Sequence, residues 1–370
     1  MSHDNSYMKH AIAIAQEALG RTSPNPAVGA LVVKDGVILG QGFTLPPGQS
    51  HAEIVALTQA GDKARNASLY VTMEPCCISG RTPPCTRAII AAGISTVHVS
   101  TVDPNPLVNG RGLAELDAAG IVVHSGEEEE ETRKLYEAFA KHIHTGTPFV
   151  TAKFAMSLDG KIATSTGDSK WVTGPAARGY VHEMRRACDA VMVGINTVVR
   201  DNPLLTARDG EGEPLKRQPL RVVLDSTAHT PPDSLLLKQP GQTLIAVTQP
   251  PDSRVAALRE AGAEVLPLTA TKDGMVDPSA LLQALGARGV VNLLVEGGGT
   301  LLGSLFDLGL VDKVAAFIAP VIIGGASAPS PVGGKGSITM ERITRLERVS
   351  VERMEEDLLV IGYPPNGGNG

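Results

Sequence analysis

The sequence predicts an α/β protein of two domains. Three observations carry that expectation. The chain has 370 residues, more than one hydrophobic core usually serves. In both halves, apolar runs of strand length alternate with segments of helical spacing, the pattern of layered α/β architecture. Between the halves HTGTP (144–148) reads as a short linker, which places the domains at 1–146 and 147–363. No internal repeat relates the two.

In the first half Met8, Ile12, Ala15 and Leu19 recur at helical spacing, predicting a helix from Tyr7 to about Leu19. ALVVKDGVILGQG (30–42) holds two apolar runs around Asp35-Gly36, a hairpin signal. A helix is expected to begin near His51 with Ser50 as its N-cap. SLYVTM (68–73) reads as a strand, TRAIIAAG (86–93) as a helix and STVHVST (95–101) as a strand. A short helix then precedes GIVVHS (120–125). EEEEETRKLYEAFAKHI (127–143) reads as one helix, with acids in the first turn where they suit the macrodipole. Leu135, Phe139 and His142 would mark its inner face.

PFVTAKFAMS (148–157) opens the second half as a strand, and ARGYVHEMRRA (177–187) reads as a helix. DAVMVG (189–194), LRVVLDS (220–226), TLIAVTQ (243–249), GVVNLLVEGG (289–298) and VAAFIAPVIIGG (314–325) all read as strands. GEGEPLKRQP (210–219) is expected to be a solvent loop and PPNGGNG (364–370) a disordered tail.

Composition narrows the partners. The formal charge is −6, with one Trp, five Tyr and six Phe. That acidic balance, with few rings for base stacking, argues against nucleic acid as a partner. The opening MSHDNSYMKH lacks a basic segment followed by an apolar core, so no secretory signal is expected. No apolar run has the length of a bilayer span, so no membrane partner is expected either. A cytoplasmic location follows, where clustered cysteines are more often metal ligands or catalytic groups than disulfides.

Three of the four cysteines fall in EPCCISGRTPPC (74–85), and His51-Ala52-Glu53 lies upstream. One His and two Cys make a three-ligand zinc set, which leaves a fourth position for water and so describes a catalytic rather than a structural site. Zinc there would lower the pKa of water toward neutrality. Glu53 is placed to take a proton and return it to a leaving group. Residues two apart diverge inside a helix, so His51 and Glu53 can border one site only at a helix start. Pro83-Pro84 before Cys85 suggests a second helix start, which would help keep a thiolate ionised. Residue types alone leave open which two of Cys76, Cys77 and Cys85 bind. Cys188, in apolar RRACDAVMVG, reads as a core residue.

HAE followed by EPC and TPPC resembles the zinc-dependent nucleoside and nucleotide deaminase superfamily, whose pattern closes as P-C-x-x-C. The longer spacing here, with PNPAVGA (24–30) and DPNPLVNGRG (103–112), resembles a narrower family: the bifunctional riboflavin-biosynthesis deaminase/reductases. The resemblance covers nearly the whole chain. It implies a cytidine-deaminase-like three-layer zinc domain, with His51, Cys76 and Cys85 as ligands, Glu53 as proton shuttle and Cys77 as a bystander. Asn25, Arg81, Asp103 and Asn105 then fall in loops that meet the pyrimidine or the ribosyl phosphate. Turn formation is the competing role for Asn25 and Asn105, each in a P-N-P setting. The family often carries histidine where this chain has Ile78-Ser79.

KFAMSLDGKIAT (153–164), GDSKWVTG (167–174) and HEMRRACDAVMVGINTVVRDNPLLTAR (182–208) resemble the reductase half of the same family, with a dihydrofolate-reductase-like fold. LVEGGGTLLGSLF (294–306) adds a strand, a glycine turn and a helix start, which taken alone suits a cofactor phosphate or an ordinary strand-to-helix turn equally; the flanking family motifs favour the cofactor. The resemblance implies NADPH contacts at Ala155, Trp171, Thr197, Asp201, Ser226, Gly298, Gly299, Thr300, Leu301, Leu302, Gly303 and Ser304. Core filling is the competing role for Trp171. Substrate contacts are implied at Ser169, Arg185, Leu205, Arg208 and Glu296. Lys153 and Asp201 are candidate acid/base groups.

The expected activity is two-step. By the resemblance, the first domain would remove the 2-amino group of 2,5-diamino-6-ribosylamino-4(3H)-pyrimidinone 5′-phosphate by zinc-dependent hydrolysis. The second would reduce ribosyl to ribityl with NADPH, giving 5-amino-6-ribitylamino-uracil 5′-phosphate. The competing outcome is a reductase whose deaminase domain is impaired at Ile78-Ser79. A nucleic-acid editing deaminase and a binding module with structural zinc are the other classes. A homo-oligomer is expected from the resemblance.

Overall fold

The computed structural model of the chain describes residues 3–80 and 82–365. It forms two compact units, Met1–Gly146 and Thr147–Gly370, each built on its own sheet.

The first unit runs α1 (His3–Glu17), β1 (Gly29–Lys34), β2 (Val37–Phe43), α2 (Ala52–Ala60), β3 (Ser68–Met73), α3 (Cys85–Ala92), β4 (Thr96–Thr101), α4 (Arg111–Ala118), β5 (Val122–Ser125) and α5 (Glu129–Thr145). The sheet order is β2-β1-β3-β4-β5, with β1 antiparallel to β2 and β3 and the remainder parallel. Asp35 and Gly36 both have positive φ, 51° and 79°, the two-residue turn that matches strand twist. Strand alternation then sorts the faces. Leu31 and Val33 pack with Met8, Ala11, Ile12 and Ile14 of α1, whereas α2 closes on the other face of the β1–β2 hairpin.

Four local expectations need correction. Helix α1 starts earlier and stops at Glu17, not Leu19. Ser50 is not the cap of α2, because His51 itself takes the extended N-cap conformation. Helix α5 continues to Thr145 until Gly146, in the left-handed conformation, ends it, so the linker shrinks to residues 146–148. Its buried stripe is Thr132, Tyr136 and Phe139, because Tyr136 turns inward to hydrogen-bond Thr72 Oγ1 and the Ala27 carbonyl.

The second unit runs β6 (Phe149–Ser157), α6 (Pro175–Ala187), β7 (Ala190–Gly194), α7 (Ile195–Asp201), β8 (Leu220–Leu224), β9 (Thr243–Val247), α8 (Asp252–Glu260), β10 (Glu264–Pro267), α9 (Pro278–Ala287), β11 (Asn292–Val295), α10 (Gly299–Asp307), β12 (Lys313–Ala319), β13 (Glu347–Met354) and β14 (Asp357–Tyr363). Its nine strands are ordered β10-β9-β8-β7-β11-β6-β12-β14-β13. All pairings are parallel up to β12, and β14 and β13 then add antiparallel. Buried parallel strands need apolar residues on both faces, which is why AVMVG and NLLV read as unbroken runs. Val150, Met192, Leu244, Leu293 and Val295 meet Leu281, Leu285, Leu302 and Leu305 in the larger core. The strand expected over 314–325 stops at Ala319, because Pro320 has no N–H for the ladder. The chain beyond it is held by two carboxylates instead. Asp159 accepts the N–H groups of Ile323 and Gly324 at 3.0 and 2.7 Å. Asp307 accepts that of Lys335 at 2.7 Å. The tail expected over 364–370 lies, from Asn366 onward, outside the described residues.

Candidate functional site

Two helix starts and one loop build the first site. His51 caps α2, Cys85 opens α3 and Cys76 lies on the loop after β3. Pro84 takes the N-cap of α3 rather than its first turn. His51 Nδ1 stands 3.6 Å from Cys76 Sγ and 3.4 Å from Cys85 Sγ, and the three donor atoms lie within 4.8 Å of one another. The Cys85 amide donates to Cys76 Sγ at 3.4 Å, and Thr82 Oγ1 sits 3.4 Å from His51 Nε2 on the far side of the ring. Cys77 is not in the group, and all four cysteines are free thiols. The hydrogen bond from the Cys85 thiol, with His51 beside it, holds Cys76 down at about 4. The same hydrogen bond pushes Cys85 up. One imidazole and two sulfurs converging over this span fit zinc, and three ligands leave a tetrahedral position open.

Glu53 is buried at 4% exposure. Burial, reinforced by the nearby Cys76, pushes its carboxyl up to about 7. A carboxyl in that range can both take and give a proton near neutrality.

The loop at 103–113 is fixed by a residue that sequence analysis gave no role. Glu74, buried at the end of β3, accepts the N–H groups of Asp103 and Gly110 at Oε2 (3.1 and 2.8 Å). It accepts those of Gly112 and Leu113 at Oε1 (2.8 and 3.3 Å). Its only sequence signal was the acid in EPC, since the four donors lie some thirty residues on. Asp103 is buried, and burial raises its carboxyl to about 6. Its Oδ1 accepts the Asn105 N–H at 2.8 Å, and Asn105 Oδ1 accepts that of Leu107 at 3.0 Å. Asn105 therefore does form a turn. Asn25 also sits in one, its amide donating to the Thr22 carbonyl at 2.8 Å. Arg81 lies outside the described residues.

The second site gathers where the strand order reverses, at the carboxyl ends of β6, β11 and β7, the usual ligand crevice of such sheets. Glu296, just past β11, makes a two-pronged ion pair with Arg185 of α6, at 2.5 and 2.8 Å. Lys153 of β6 stands 3.8 Å from the same carboxylate. Burial opposes ionisation of Glu296, yet Arg185 and Lys153 outweigh it and hold the carboxyl down at about 2. Burial pushes the Lys153 ammonium below its ordinary value, against the pull of Glu296.

The other expected residues of this unit differ in what they can offer. Trp171 is 72% exposed, so it does not fill the core; the Arg178 guanidinium lies 4.8 Å over its ring. Thr197 and Asp201 lie on α7, half-buried, and Ala155 and Ser169 are half-buried too. Ser226 is buried and its hydroxyl accepts the Val276 N–H at 2.9 Å. Gly298 caps α10, leaving the amides of Gly299, Thr300 and Leu301 ahead of the first helical bond from Leu302. Leu301, Leu302 and Gly303 are buried and Ser304 Oγ bonds the Thr300 carbonyl. A Cβ on Gly303 would lie 2.3 Å from the Gly333 backbone, so that glycine serves close packing. The Leu205 side chain is in the core. Arg208 is half-buried and bonds Thr206 Oγ1 and the Gly212 carbonyl.

Comparison with known proteins agrees with both halves. The model of the RibD C-terminal domain matches residues 148–360, and that of the cytidine and deoxycytidylate deaminase zinc-binding region matches residues 1–101. The riboflavin biosynthesis protein RibD of Synechocystis sp. is 44% identical over 98% of this chain and 97% of its own length. That of Aquifex aeolicus is 42% identical over 96% and 97%. Among solved structures, Acinetobacter baumannii RibD (form 1) superposes with a TM-score of 0.84 at 36% identity, covering 98% of this chain and 99% of its own. A diaminohydroxyphosphoribosylaminopyrimidine deaminase/5-amino-6-(5-phosphoribosylamino)uracil reductase from Thermotoga maritima gives the same TM-score, identity and coverage. Identity at this level, sustained across both domains, places the chain in the RibD family, the bifunctional deaminase/reductases of riboflavin biosynthesis.

Proposed function

We propose that Met1–Gly146 carries out the deamination and Thr147–Gly370 the reduction, with the residues above in the following roles. The observation that carries the first half is the convergence of His51, Cys76 and Cys85 on one point beside buried Glu53. His51, Cys76 and Cys85 would hold zinc, which would supply a nucleophilic water near neutral pH. Glu53 would accept a proton from water and deliver one to the departing 2-amino group, so that ammonia leaves and the ring gains a carbonyl. Asn25, Arg81, Asp103 and Asn105 meet the substrate; Asn105 Nδ2 remains for it, because the turn uses only Oδ1.

In the second half, NADPH supplies the hydride and the protein orients the reactants. The first-turn amides of α10, with Gly298, would hold the cofactor phosphate. Leu301, Leu302 and Gly303 contribute backbone alone. Trp171, Ala155, Thr197, Asp201 and Ser226 line the rest of the cofactor's path. Arg185 and Glu296 hold the ribosyl phosphate's sugar end, with Ser169, Leu205 (through its backbone) and Arg208 around it. Lys153 supplies the proton that completes reduction. Its low-polarity surroundings, which disfavour the charged form, support that role.

The test is to incubate the purified protein with the diaminopyrimidine ribosyl phosphate and identify products by mass. Without NADPH the deaminated ribosyl compound is expected, and with it the ribityl compound. A zinc chelator should stop the first product while leaving reduction of supplied deaminated substrate intact. Absence of ammonia release from zinc-loaded protein would overturn the deaminase half.

We also propose a homo-oligomer. Among the described residues no helix is long and apolar enough to cross a membrane. Edge strand β13 nevertheless exposes Val349 and Val351, and Ile338 and Met340 precede it, 86% and 75% exposed. Open edges with apolar side chains invite pairing. Val351→Lys should shift the sedimenting species toward monomer; an unchanged monomeric wild type would dismiss the idea.

A further inference from the structure

We propose that Glu74 is a positioning residue for deamination, locking the substrate loop at 103–113 to the loop that carries Cys76. The inference deepens the proposed function, because it rests on that substrate loop meeting the pyrimidine phosphate. Glu74 lies two residues before Cys76, so its backbone is tied to that proposed ligand through Pro75, and the amides it accepts hold its carboxylate in place. Its two oxygens accept four backbone amides, from Asp103, Gly110, Gly112 and Leu113. Among the described residues no cation pairs with it; the amides at the start of α4 meet the carboxylate instead. Asp103 and Asn105 then follow from the first of those anchors through consecutive side-chain turns.

Gly112 shows the closeness of the lock from the other side. A Cβ there would lie 2.2 Å from the Pro75 carbonyl oxygen and 3.1 Å from Glu74 Oε1. Backbone must approach backbone at this point, and only glycine permits it. The carboxylate touches neither metal ligand nor reacting atom in this arrangement. Its effect is to set how far the substrate's grip stands from the metal centre.

Glu74→Gln replaces one acceptor oxygen with an NH2 group that faces amide donors, so two of the four bonds are lost to donor–donor opposition. Gly112→Ala should push the same two segments apart without touching the carboxylate. For both variants KM for the diaminopyrimidine phosphate should rise on the order of tenfold, the scale of one buried charge-assisted hydrogen bond. The deaminase kcat should change by less than about threefold, the signature of lost binding rather than lost chemistry. Zinc per chain and reductase turnover, measured on the same preparation, should match wild type and so report a folded protein. Zinc loss together with a collapse of kcat would overturn the proposal in favour of a purely structural role, as would an unchanged KM. Asn105→Ala, run alongside, separates the two layers. If it raises KM while Glu74→Gln does not, the lock is wrong and the substrate loop stands; if neither changes KM, both fall.

Discussion

Glu53→Gln is expected to abolish ammonia release while zinc stays bound. Gln keeps the shape of Glu53 and its buried setting at the start of α2, so the fold and the His51–Cys76–Cys85 group should persist. It cannot accept and return a proton, and general acid–base contributions of this kind are worth about 10²- to 10⁴-fold in rate. Deaminase kcat should fall by at least that range. Reduction of supplied deaminated substrate should be untouched, which makes the second unit an internal control. Ammonia release within about tenfold of wild type would remove Glu53 from the mechanism.

The second large effect lies at Glu296. Glu296→Gln leaves Arg185 and Lys153, both mostly buried, without their counter-charge. Breaking one partner of a buried pair costs about 3–5 kcal/mol, and the sugar end of the substrate would lose its proposed anchor as well. Loss of reductase activity should therefore occur at a markedly lower urea concentration, and the residual activity in water should be small. The effect must also depend on pH in one direction. The folded carboxyl is held at about 2 against an ordinary 4.5, so its contribution, roughly 3 kcal/mol, is fully present above pH 4.5. It fades as pH falls from 4.5 through about 2, below which folded and unfolded states both carry the proton. Arg185, Lys153 and, more weakly, His182 are the groups whose fields act on it. The stability gap between wild type and variant should close over that acid window. A gap of constant size would show that the charge is not its source.

Local chemistry made much of the fold legible. The hairpin at Asp35-Gly36 and strand 68–73 follow from turn type and apolar run, and helix starts beside His51 and Cys85 follow from proline placement and the geometry an HxE pair demands. The candidate zinc donors could be grouped by resemblance, and the structure brings the same three side chains together. What escaped was whatever depends on partners distant in sequence. β13 carries no inward face to read, being exposed along nearly its whole length, and β10 has only four residues. Glu74 looked like part of a cysteine motif because its four donors are backbone amides, which no residue type announces. Gly303 looked like a phosphate glycine, yet its crowding against Gly333 is visible only when the two segments meet.

The strand order of the second unit sets a timetable for synthesis. The first unit's sheet is complete once β5 and the helix α5, which packs on β4, have emerged, by Thr145. Strand β6 follows immediately, but both of its neighbours, β11 and β12, lie at 292–319. At translation rates of about 5–20 residues per second, β6 waits on the order of ten seconds with both ladders unpaired. β12 in turn waits for β14 near the end of the described chain. Until β7 to β10 pair with one another, the nascent reductase half is an apolar, unpaired strand tethered to a finished domain, the kind of intermediate that holdase chaperones bind. The deaminase half can be folded before its partner has a sheet at all.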